Sequence, residues 1–202
     1  MALDDGDALW YWNGNVSRTK NIPQAEWFGT SAPHDYDDHG WEISNFVVYA
    51  GEVAEGQPHM KGGKGSFSWL NNNPGNITAG GPAYGAFPGK VNWHNFLIFP
   101  SWDLGYDAIR QLLRGPGYAH LSILAAFQRY APASDGNDPV RYANKVAAAV
   151  GRDVHTIVGD LTDDEMVEMQ NAITDMEGAV AGWTYLRDDP ALPQAVRDAI
   201  WS

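Results

Sequence analysis

The chain contains no cysteine. That absence removes disulfides, thiolate nucleophiles and cysteine-based zinc sites together, and it leaves the redox compartment open. Basic side chains are also scarce: 13 Lys and Arg stand against 25 Asp and Glu, for a net charge of −12. Nucleic-acid binding needs clustered cations to neutralise phosphates, so this balance argues against it, and against an anionic membrane surface as well. No apolar run approaches the roughly 20 residues that cross a bilayer, and no signal-peptide pattern opens the chain. Charge as a whole is sparse, 19% of residues against 44% apolar, so a largely disordered chain is not expected. Its 202 residues suit one domain of ordinary size with a small appendage.

Glycine, proline and aromatics are plentiful. The nine Trp could serve as platforms for sugar faces, but core filler is the default reading. Residues 1–40 are turn-rich and polar with scattered aromatics (Trp10, Tyr11, Trp12, Trp27, Phe28) and read as an irregular N-terminal extension or linker; 41–202 read as the functional domain. Ile43, Phe46, Val47, Ala50, Val53 and Ala54 fall at helical spacing and predict a first long helix over 42–55, stopped by Gly56 and Pro58. Residues 56–100 are punctuated by Gly and Pro, which permits only short strands and turns. The run Phe96 to Phe99 fits a strand or a buried loop.

From Pro100 onward the pattern is helical. Ser101 caps a helix through Leu113, and a second covers His120 to Tyr130. Asp138 before Pro139 opens a third, closed by Gly151. Thr162 to Glu165 is a capping box for a helix to about Glu177, and 190–201 form a short last one. The expected class is α+β and predominantly helical, with a Gly-rich β-hairpin insert after the first long helix.

Four asparagines crowd a Pro-Gly turn in Trp69-Leu70-Asn71-Asn72-Asn73-Pro74-Gly75-Asn76-Ile77-Thr78. One asparagine is ordinary turn chemistry. Four beside Trp69 and Thr78, after a helix ending in Glu55-Gly56, suggest a polar groove that reads hydroxyl and amide groups.

These residues resemble the lysozyme-like muramidases of phage virions and type VI secretion effectors. The similarity continues through Phe99-Pro100-Ser101, Gly105 and Ala108, then Tyr130-Ala131-Pro132 with Asn137-Asp138-Pro139 and Tyr142, and then Thr162 to Gly178, covering roughly 43–180. The resemblance implies a lysozyme-like fold and cleavage of the β-1,4 bond between N-acetylmuramic acid and N-acetylglucosamine in peptidoglycan glycan strands. Such chemistry needs a protonated carboxylic acid beside the glycosidic oxygen. Glu55 is the expected general acid, and Glu52, nearly opposite the apolar face, reads as a solvated charge. Thr78 stands where a phage-type lysozyme carries a catalytic threonine, but Asn72 occupies the place of its aspartate. Either the site works with a single glutamate, by hydrolysis or the lytic transglycosylase reaction, or a second acid enters from elsewhere, with Asp103, Asp107 and Asp138 as the candidates and Asp138 better explained as a helix cap.

Tyr142 matches a tyrosine that transglycosylase-like enzymes hold near their acid; a helical core role is the equal alternative. Trp69, Asn71, Asn72, Asn73, Asn76 and Tyr84 are the expected substrate contacts. A second Glu-Gly pair, Glu177-Gly178, has no Asn-rich loop after it and reads as a structural helix terminus. His34-Asp35-Tyr36-Asp37-Asp38-His39 fits no established metal-ligand spacing, so a solvated acidic loop is expected with no metal and no cofactor. The rival classes are a non-catalytic wall-binding module and a zinc amidase centred on His34 and His39. A delivered antibacterial effector would act in the periplasm of a target cell, and its producer would need an immunity protein.

Overall fold

The computed structural model describes residues 8–18, 26–29, 45–49, 65–80, 85–87, 91–92, 94–186 and 189–201. It is mixed α+β. Contacts divide the chain into one unit of Met1–Gly105 with Ala179–Ser202 and another of Tyr106–Gly178.

The first unit carries an antiparallel sheet of β1 (Ala8–Trp12), β2 (Asn15–Ser17), β3 (Glu26–Gly29), β4 (Asn45–Tyr49) and β5 (Trp183–Leu186), in the order β2-β1-β3-β4-β5. The described part of 1–40 is therefore not an irregular extension: it supplies three of the strands. Its aromatics lack a helical period because they belong to strands. Asn13 and Gly14, with φ of 46° and 84°, make the tight turn that β1 and β2 need. The expected division at residue 40 falls between β3 and β4, which pair Trp27 with Tyr49 and Gly29 with Val47.

A second correction concerns the first long helix. Asn45–Tyr49 is a strand, held between β3 and β5. Phe46, Val47, Val48 and Tyr49 are β-branched or aromatic, types that favour a pleated surface, and so short an apolar run satisfies both periods. Pairing on both sides decides for the strand. Residues 50–64 lie outside the described residues.

In place of an extended hairpin, the described part of 65–100 holds α1 (Phe67–Leu70) and two isolated antiparallel bridges, Thr78 to Phe96 and Val91 to Leu97. Ser66 caps α1 by accepting from the Trp69 N–H at 3.3 Å. Leu70, Ile77, Leu97, Ile98 and Phe99 are buried here, so the apolar run resolves as a buried, bridged loop. Pro193 precedes α6 (Gln194–Trp201), close to the expected last helix.

The second unit follows the sequence closely. Ser101 caps α2 (Trp102–Arg114), its hydroxyl accepting from the Leu104 N–H at 3.3 Å; the boundary between the units falls within this helix. Then come α3 (Ile123–Tyr130), α4 (Pro139–Val150) and α5 (Asp163–Glu177), with α4 packed against both α3 and α5. Asp138 caps α4 and Gly151 closes it at φ 72°. Ile109, Leu113, Ile123, Phe127, Val146 and Met166 lead its core, all fully buried.

The Thr162 capping box forms as read, with the Thr162 N–H donating to Glu165 Oε2 at 2.8 Å. Arg152 Nε also donates to Glu165 Oε1 at 2.6 Å. The Arg152 bond first, and the Thr162 backbone bond second, hold this carboxyl below its usual range. A depressed carboxyl contributes stability that is full above its unfolded pKa and is lost as pH falls through the folded value. Glu165→Gln should therefore melt below wild type at pH 7, and the gap should close on acidification below about pH 4. A gap that persists unchanged at pH 3 would mean that the charge plays no part.

Candidate functional site

The Asn-rich loop is held by its own amides. Asn73 is fully buried: its Nδ2 donates to the Ile77 carbonyl at 2.9 Å and the Leu97 carbonyl at 3.0 Å, while its Oδ1 accepts the Ile77 N–H at 2.9 Å. Asn71, also fully buried, donates from Nδ2 to the Phe67 carbonyl at 2.9 Å. Both amides, expected as substrate contacts, bond to backbone groups of the loop and its neighbours. A tight turn packed under an apolar run leaves backbone groups that only side chains can satisfy, and the asparagines meet that demand.

Asn72 and Asn76 are half-buried and take left-handed φ of 48° and 46°, a region asparagine tolerates better than most residues. Asn72 Nδ2 donates to the Phe99 carbonyl at 3.3 Å. The Phe99 N–H in turn donates to the Asn71 carbonyl at 2.9 Å. Gly105, in the first turns of α2, has no room for a Cβ beside the Asn72 carbonyl and Pro74. The Asn-Pro-Gly motif and the Phe99-Pro100-Ser101 to Gly105 motif are thus one interlocked structure.

Of the other expected site residues in this unit, Trp69 is half-buried with its ring over Gly65, where a Cβ would lie 2.5 Å from ring carbons. Thr78 is exposed beside its bridge to Phe96. Glu55, Tyr84 and the His34 to His39 segment lie outside the described residues. Among the described residues, no group of three or more His, Asp or Glu is placed to hold a metal ion.

The second unit contains a carboxylate that the sequence reading set aside. Tyr142, 6% exposed in the middle of α4's buried face, donates its hydroxyl to Glu177 Oε1 at 2.9 Å. Glu177 is the last residue of α5 and is half-buried. Phe127 stacks on the Tyr142 ring with centroids 4.6 Å apart and planes 19° from parallel. Tyr130 lies 6.3 Å from Tyr142 and 6.4 Å from Tyr118, and Arg129 sits over the Tyr118 ring at 5.2 Å. Burial, then the Glu177 charge, push the Tyr142 and Tyr130 phenols well above the ordinary tyrosine range. Both remain neutral hydroxyls at any working pH, so Tyr142 stays a hydrogen-bond donor.

Tyr142 is therefore a core residue and a carboxylate partner at once, and its partner is the glutamate read as a plain helix terminus. The missed signal lay in the spacing: Tyr130 and Tyr142 flank the Asp138-Pro139 helix start, and the chain then returns through a capped fifteen-residue helix ending in glutamate. Neither the protein-family models nor the curated proteins that were searched contain a match to this chain.

Proposed function

We propose that the chain is a peptidoglycan-cleaving muramidase of lysozyme-like fold, which breaks the β-1,4 bond between N-acetylmuramic acid and N-acetylglucosamine with a single glutamate as general acid. The observation that carries this reading is the interlocking of the Asn71 to Ile77 motif with Phe99 and Gly105. The residues on which the resemblance to muramidases rests are not scattered coincidences of a turn-rich segment. They fasten one another, through Asn72 to Phe99 and through the space that Gly105 leaves for the Asn72 carbonyl. Such mutual dependence supports reading these residues as one motif. In the biological role that accompanies this reading, the protein is an antibacterial effector delivered to the periplasm of a target cell, restrained in its producer by an immunity protein.

Digestion of purified sacculi tests the proposal. Soluble muropeptides should appear, with equal yield in EDTA. Reducing ends among the products mean hydrolysis, and anhydro ends mean the lytic transglycosylase reaction. Binding without release identifies a wall-binding module, and silencing by the chelator identifies a zinc amidase. The net charge of −12 adds a quantitative expectation. An acidic enzyme on an anionic wall gains nothing from Coulombic attraction, so raising salt to about 0.15 M, where the screening length is about 8 Å, should leave the rate unchanged or increase it. Strong inhibition over that range would show that local cations, not amides and aromatic rings, hold the glycan.

A further inference from the structure

We infer that Glu177 is the general acid of the proposed glycosidase and that Tyr142 is its positioning residue, an inference that rests on the muramidase reading. Glu177 is half-buried at the end of α5, with the Tyr142 hydroxyl donating to Oε1 at 2.9 Å. The ring of that tyrosine is fixed in turn by its stack on Phe127. The carboxyl group is thereby aimed by a rigid phenol rather than left on a free side chain.

A purely structural role explains this arrangement poorly. A buried tyrosine hydroxyl needs an acceptor, but a backbone carbonyl would serve. A carboxylate at the carbonyl end of a fifteen-residue helix opposes the helix dipole. The same neighbourhood gathers Tyr130, from Tyr130-Ala131-Pro132, and Tyr142, behind Asp138-Pro139. The half-buried Tyr118 lies beyond Tyr130, edge-on to it. A half-buried Tyr130 ring near one fixed carboxyl suits a sugar, whose apolar face stacks while its glycosidic oxygen receives a proton.

In the step assigned to Glu177, its carboxyl proton passes to the glycosidic oxygen as the bond from that oxygen to the anomeric carbon breaks. Water, or a hydroxyl of the same sugar, then adds at the anomeric carbon and returns a proton to the carboxylate. Tyr142 keeps its own proton throughout and holds Oε1.

Wild type, Glu177→Gln, Glu55→Gln and Tyr142→Phe are compared on solubilised glycan strands, each first checked for a native circular-dichroism spectrum. Glu177→Gln should lose about 100-fold or more in kcat, the usual contribution of a general acid. Tyr142→Phe keeps the stacked ring and should lose about tenfold in kcat at constant KM, the effect of one hydrogen bond to a charged group. A wild type that releases no product defeats the muramidase reading itself. A wild type that cleaves, with a folded Glu177→Gln that retains most of the activity, overturns the assignment of Glu177 alone, as does loss confined to Glu55→Gln. Should glutamine at 177 prevent folding, Tyr142→Phe decides: lowered kcat at constant KM supports the assignment, and unchanged kcat overturns it.

Discussion

Asn73→Ala should cost about 3–5 kcal/mol of stability, because it strips partners from three buried backbone groups at once, each worth roughly 1–3 kcal/mol when left unmade. The Ile77 N–H, the Ile77 carbonyl and the Leu97 carbonyl all depend on this one side chain. Asn73 and Ile98 are fully buried and Leu97 nearly so, so water cannot replace the lost bonds without opening the loop. A domain is stable by only about 5–15 kcal/mol, which makes the expected loss a large share of the total. Denaturant titration reads it as a fall in the unfolding midpoint. Asn73→Asp separates hydrogen bonding from volume: its two oxygens keep the acceptor for Ile77 N–H but set negative charge against two carbonyl oxygens. At neutral pH it should be at least as damaging as alanine, and mild acid should partly restore it, since a protonated carboxyl donates one bond. If Asn73→Ala costs less than about 1 kcal/mol, the ordinary net worth of a single hydrogen bond, then Asn73 does not staple the loop in solution.

The same residue shows how far the sequence could be read. That Asn71 to Asn76 mattered was legible from their density; what they do was not. An asparagine that reads a sugar and one that satisfies a buried turn have the same side chain, and only burial distinguishes them. The helical half was largely legible because its signals are local. Ser101, Asp138 and Thr162 cap the helices they were expected to cap, and Gly151 closes the one it was expected to close.

The sheet was not legible because its partners are remote. Asn45–Tyr49 takes its conformation from Glu26–Gly29 on one side and from Trp183–Leu186, far along the chain, on the other. Nothing within a helical window reveals those neighbours. One local signal for the sheet was present, however: Asn13-Gly14 between Trp10-Tyr11-Trp12 and Val16 is a strong hairpin dipeptide. Glu177 was misjudged for a related reason. Its partner Tyr142 is 35 residues away, and a helix-end glutamate looks solvated until a buried hydroxyl is found on it.

Gly105→Ala should destabilise the protein by about 3 kcal/mol, even though alanine normally stabilises a helix by about 1 kcal/mol over glycine. Gly105 lies within α2 and its φ is not left-handed, so backbone freedom is not the reason for glycine here. Space is the reason. A Cβ at this position would overlap the Asn72 carbonyl oxygen and approach Pro74 Cδ to 2.9 Å. The Asn72 carbonyl has little room to retreat. Its own N–H donates to the Trp69 carbonyl at 3.3 Å, its side chain donates to Phe99, and the next residue is Asn73, whose N–H donates to the Ser68 carbonyl at 2.9 Å. The alternative is for the start of α2 to move outward, which would disturb the Ser101 cap. The competing effects have opposite signs, so the direction of the change is itself the measurement. A higher unfolding midpoint for Gly105→Ala would mean that helix propensity prevails and that the loop does not sit against α2 this closely. A lower midpoint would confirm the contact, and would explain why a helix tolerates an interior glycine at a cost of about 1 kcal/mol: the loop that binds Asn72 to Phe99 needs that place empty.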